Sequence, residues 1–113
     1  TFGLLARVGG GHLGWLAIDR FNRVLSPFEI ASRSMVLIAG RWVPIIYLAK
    51  GGGLYGVLAV EERGTVVLAV EAVMGIESWR RARLRGAKSL IDMIPSLDIG
   101  AAIALVADVK KSA

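Results

Sequence analysis

Leu54-Tyr55-Gly56-Val57-Leu58-Ala59-Val60-Glu61-Glu62-Arg63-Gly64-Thr65-Val66-Val67-Leu68-Ala69-Val70-Glu71-Ala72-Val73 is the stretch on which the reading of the fold turns. The pentapeptide Val-Leu-Ala-Val-Glu occurs in it twice, at 57–61 and 67–71. Between the copies, Glu62-Arg63-Gly64 has the chemistry of a tight hairpin turn, with Gly64 suited to a positive φ. The spacing predicts strands over residues 54–61 and 65–73. Their apolar runs are nearly continuous, and a continuous run marks burial on both faces, where strict alternation would mark one wet face.

Working outward, residues 2–8 and 12–21 read as strands joined by Gly9-Gly10-Gly11, the second favoured by Trp15, Ile18 and Phe21. Ser26-Pro27-Phe28-Glu29 is a helix start. Ser26 is placed to cap, Pro27 sits where its missing N–H costs nothing, and Glu29 can bond back to the cap. Leu25 and Ile30 are spaced as a hydrophobic staple. This helix is expected to run to about Ala39 and stop at Gly40, with Ile30, Ala31, Met35 and Ile38 on its apolar face. Residues 42–48 predict a strand that Pro44 places at an edge or a bulge. From 76 to 94 the apolar spacing changes to three or four residues and predicts a second helix, with Gly86 as a site of close packing and Pro95 as its end. Residues 99–109 suit a final buried strand, with a helix as competitor.

These elements predict a single small domain over 1–113 of class α+β: a hairpin-centred antiparallel or mixed sheet with one or two packed helices. The alternative is an all-α hydrophobic helical hairpin, one helix from Pro27 past Arg41 and the other after Gly51-Gly52-Gly53. In that form the pattern resembles a small pilin subunit and implies a membrane-derived filament. Glu61, Glu62 and Arg63 count against it, since charges are costly in lipid. No unbroken run reaches the ~18 apolar residues of a simple membrane span. Residues 34–60 come nearest, broken by Arg41 and Lys50.

Composition bears on function. The chain is 113 residues long and 55% hydrophobic, against roughly 45–50% for a typical soluble domain. One small copy has too much surface to hide so much apolar side chain. The surplus predicts contact with other copies, a partner or lipid. Trp42, Tyr47, Tyr55, Val57, Val67 and Met74 are the expected assembly or core positions.

The chain has no cysteine and one histidine, His12, which removes thiolate chemistry and every Cys-based or His-rich metal site within one copy. The glycine triplets at 9–11 and 51–53 lack the Lys-Ser/Thr ending of a phosphate loop and the spacing of a dinucleotide fingerprint. Glu61, Glu62, Glu71 and Glu77 form the one local acidic cluster, and the hairpin keeps Glu61 and Glu71 apart. The expectation is therefore no catalytic activity, no cofactor and no metal.

The net charge is +5. Its excess is concentrated at Arg80, Arg81, Arg83, Arg85 and Lys88. On a helix these would form a basic patch able to meet nucleic-acid phosphates without reading sequence, or anionic lipid with Trp79 near the headgroups. The leading functional expectation is a structural self-assembling subunit of a homo-oligomer, filament or shell. The rival is a nucleic-acid-binding module using the basic segment.

Overall fold

Val66, Val67, Leu68, Ala69 and Val70 are all completely buried, and the sheet around them explains why. The computed structural model describes residues 1–62 and 64–94. Their strands are β1 (Phe2–Arg7), β2 (Leu13–Ala17), β3 (Phe21–Leu25), β4 (Met35–Ile38), β5 (Arg41–Tyr47), β6 (Tyr55–Glu61), β7 (Gly64–Val70), β8 (Ala72–Ser78) and β9 (Lys88–Ser89). Two short helices, α1 (Pro27–Ile30) and α2 (Trp79–Leu84), join them. One sheet has the order β8-β1-β2-β9 and the other β3-β6-β7-β5-β4. Together they form a half-barrel.

Strand β7 is the middle of the five-stranded sheet, so its backbone is paired on both sides and its side chains meet a core on both faces. Val66, Leu68 and Val70 join Val57, Ala59, Leu4, Ala6 and Leu16 in the layer between the sheets. Val67 and Ala69 point the other way, into a core with Leu58, Ile45, Val43, Leu25 and Ile30. A third, smaller cluster of Leu5, Trp15, Ala82 and Ala87 lies under α2 on the outer face of the four-stranded sheet. The hairpin pairs Glu61 with Gly64, leaving a two-residue turn, and Gly64 has φ 140°.

The predicted strand over 65–73 is two strands in different sheets. The chain crosses at Glu71, whose N–H donates to Arg7 O and whose carboxylate meets Arg7 Nε, both at 2.9 Å. Beyond this point β8 pairs with β1.

The α+β expectation is overturned: the molecule is mostly β, and both long helices are absent. The all-α alternative and its pilin likeness fall with them, and among the described residues no helix is long and apolar enough to cross a membrane. The start of the first helix is where the sequence puts it. Glu29 Oε2 accepts from Ser26 N–H at 2.7 Å. That backbone bond is the largest influence holding the Glu29 carboxyl below its usual pKa, and Arg23 at 2.7 Å adds to it. The helix lasts one turn, however. Ser32 takes φ 54°, and beyond it Val36 and Ile38 favour the extended state because β-branched side chains pack well on a pleated surface.

Ala39 and Gly40 then make a hairpin turn between β4 and β5, with φ 49° and 77° and Ile38 paired with Arg41. Positive φ at both central residues is the type I′ geometry that suits the twist of a two-residue hairpin. Alanine is strained there. Ala39→Asn should therefore stabilise the chain by about 1 kcal/mol, read as a rise in Tm of a few degrees.

The second predicted helix is also divided. Residues 76–78 belong to β8, and α2 begins only at the Ser78 cap, whose Oγ accepts from Arg81 N–H at 3.2 Å. Gly86 at φ 88° ends it. The Gly86 and Ala87 amides donate to Arg83 O and Ala82 O, both at 3.0 Å, the Schellman pattern of a helix C-terminus. Gly86 is thus a terminator, where the sequence reading made it a packing site inside a helix. Pro44 lies in an internal strand, not at an edge. The pairing of β5 with β7 starts one residue later, at Ile45, so the missing donor costs no bond in that ladder. Pro95 and the apolar run at 99–109 lie outside the described residues.

Candidate functional site

The sequence-predicted assembly residues divide cleanly. Val57 and Val67 are fully buried core residues of the hairpin, so they hold the fold and present nothing to a partner. Trp42, Tyr47, Tyr55 and Met74 are exposed. Tyr47 is partly committed, since its hydroxyl donates to Arg33 O at 2.6 Å and lies 3.1 Å from Ile30 O. Trp42 stands opposite Leu37 across the β4–β5 pair, and the two side chains are 40% and 55% exposed. Val36 and Val43, the next pair, point into the core. The hairpin therefore has one buried face and one apolar face open to solvent.

Leu37 escaped the sequence reading because β4 was read as helix. The available signal was the pair of β-branched residues, Val36 and Ile38, alternating with Met35 and Leu37 between Ser34 and the Ala39-Gly40 turn. Phe28 and Leu84 were missed as well, and they are 92% and 80% exposed. Nothing local separates an exposed leucine at 84 from a buried one at 90. Only the packing of α2 through Ala82 does so.

The basic residues are brought together in part. Arg80, Arg81 and Arg83 lie on α2, Arg85 caps it, and Lys88 belongs to β9, where it pairs with Gly14. The continuous basic helix from Arg80 to Lys88 is thus corrected to one short helix and a strand. All five side chains are exposed. Arg80, Arg81 and Leu84 share the solvent side of the helix, opposite Ala82, so an exposed leucine sits among the guanidinium groups.

The carboxylates are dispersed. Glu61 is at the turn end of the hairpin, Glu71 pairs with Arg7, and the Glu77 backbone carbonyl receives the Trp15 indole N–H at 2.9 Å. His12 is exposed in the β1–β2 loop. No group of three His, Cys, Asp or Glu residues is placed to share a metal among the described residues. Among the described residues, the open apolar face of the β4–β5 hairpin and the arginine-rich face of α2 are two exposed surfaces.

No protein-family model matches the sequence, and no curated protein matches it either. The fold has solved counterparts. The crystal structure of the scaffolding protein TtCheW from Thermoanaerobacter tengcongensis matches with a TM-score of 0.52 and 16% sequence identity, over 67% of this chain and 63% of that one. The chain thus spans less than two thirds of the scaffolding protein it matches, and the likeness is one of fold.

Proposed function

We propose that this chain is a non-catalytic scaffold domain whose work is to hold protein partners. The observation that carries the reading is the Leu37–Trp42 pair, two large apolar side chains 55% and 40% exposed and facing each other across the β4–β5 hairpin. Leaving such a pair wet costs apolar burial that a partner would recover. The shared fold with a scaffolding protein supports the same reading.

In its finer form the reading has other copies of this chain as partners, in a homo-oligomer, filament or shell. Each copy carries +5, which opposes close association of like molecules. The preferred first partner is therefore a different protein. A photocrosslinking residue in place of Trp42, in the native host, tests this. A discrete adduct whose mass is not a multiple of 12.0 kDa is the expected result, and a ladder of such multiples would favour self-assembly. No discrete adduct from Trp42, Phe28 or Leu84 would contradict the scaffold reading.

The arginine face of α2 favours a second reading, an anionic partner such as nucleic acid or anionic lipid. Its cations make no ion pair with the described residues. If duplex DNA is the partner, Arg81→Ala with Arg85→Ala should weaken binding about tenfold at low salt and flatten the salt dependence by about two phosphate contacts, with Tm unchanged. A fluorescence-anisotropy titration at several salt concentrations measures both.

A further inference from the structure

Three longer strands leave a side unpaired among the described residues: β3, β4 and β8. Open edges invite pairing with other chains, and proteins usually blunt them with charges, prolines or bulges. Strand β8 carries Glu77 and a register shift against β1. Strand β3 carries Arg23 and a register shift against β6. Strand β4, Met35-Val36-Leu37-Ile38, has neither a charge nor a bulge.

The hydrogen-bond phase of β4 follows from one bond. Ile45 N–H donates to Ser34 O at 2.9 Å, so in the same register the Val36–Val43 and Ile38–Arg41 pairs exchange bonds and the Met35–Pro44 and Leu37–Trp42 pairs do not. The N–H and C=O groups of Met35 and Leu37 therefore face the open edge. Pro44 occupies a non-bonded pair, where its missing N–H costs β4 nothing.

We propose that the β4 edge accepts an extended segment of a partner protein as an added strand, apolar where it meets Leu37 and Trp42 and acidic at its ends. This deepens the scaffold reading above and rests on it. Four backbone groups, from Met35 and Leu37, supply the ladder, and the apolar pair supplies the side-chain contact. The charge requirement comes from Arg33 and Arg41, exposed cations near the two ends of β4 that make no ion pair with the described residues. The same cations, and +5 on each molecule, disfavour a second copy on this edge.

The test is an amide chemical-shift titration of the whole chain with the capped peptide Asp-Thr-Val-Thr-Val-Asp. Saturable shifts centred on Met35 to Ile38 are expected. Leu37→Pro removes one outward donor without touching the bonded pairs and should weaken binding about tenfold. Arg33→Glu with Arg41→Glu, which alters no packed residue, should weaken it about fivefold, as should exchange of the peptide aspartates for lysines. Shifts elsewhere, or binding indifferent to both variants, would overturn the proposal. So would a mass of two copies that Leu37→Pro returns to one, because it would seat a second copy on the edge. Discrete crosslinked partners from Phe28 or Leu84 alongside such a failure would leave the scaffold reading standing and remove only this edge.

Discussion

Replacing either Val66 or Val67 with Asp should leave the chain unfolded, although the two neighbours point in opposite directions. In a sheet with one wet face, one of two adjacent residues tolerates a charge. Here both are fully buried, Val66 between the sheets and Val67 in the core beneath β3 and β5. Among the described residues neither core contains a buried polar or charged side chain, so a carboxylate at either position finds no partner there. Burial of an unpaired polar group costs at least several kcal/mol, against a total stability of about 5–15 kcal/mol for a small domain. Val60→Asp is the control. It lies in the same hairpin but is 46% exposed, and it should change stability by less than about 1 kcal/mol. Circular dichroism and urea unfolding of the three variants distinguish a doubly buried strand from a singly buried one.

Gly3→Ala is the second substitution with a large effect. A methyl group at Gly3 would meet the Leu16 carbonyl oxygen and lie 2.6 Å from Trp15 Cζ2. Neither can retreat easily. Leu16 O belongs to β2, in the middle of the sheet. The Trp15 ring is fixed by its N–H bond to Glu77 O at 2.9 Å and by Trp79, whose ring centre is 5.1 Å away. Relief must break the indole bond or push β1 from β2, at a cost of about 3 kcal/mol. Urea unfolding followed by tryptophan fluorescence reads both the stability and the altered ring environment. Gly52→Ala, where an added methyl group meets nothing within 4 Å, should be close to neutral.

These two sites show what the sequence made legible. The Val57–Val70 hairpin and its double burial follow from residue types, because two nearly continuous apolar runs rich in valine flank a glycine turn. The capping box at Ser26 and Glu29 is equally local, and it is present. How far each helix continues is not local. After Ile30 the chain could extend the helix through Met35 and Ile38 or turn at Ser32 and pair β4 with β5, and that choice depends on strand partners three to nine residues away and on the packing of β5 against β7. Ile76 to Ser78 likewise carry helical spacing but pair with Phe2 to Leu4, more than seventy positions earlier. The two Val-Leu-Ala-Val-Glu repeats gave no hint that the chain leaves one sheet for the other at Glu71, because that crossing depends on Arg7.

The candidate surface was legible in the same proportion. The arginines of α2 are exposed as their charge requires, and Trp42 is on the open face. Val57 and Val67 belong by type to a buried run, and the pairing of β6 with β7 places that burial inside one copy. Leu37 became visible only once β4 was a strand with an edge.

The most direct test of an open docking edge is amide hydrogen exchange along β4 in the isolated chain. An open edge predicts alternation: Val36 and Ile38 protected by their bonds to β5, Met35 and Leu37 exchanging much faster because their N–H groups face solvent. Equal, strong protection of all four amides would mean that the edge is already covered, and would contradict the account.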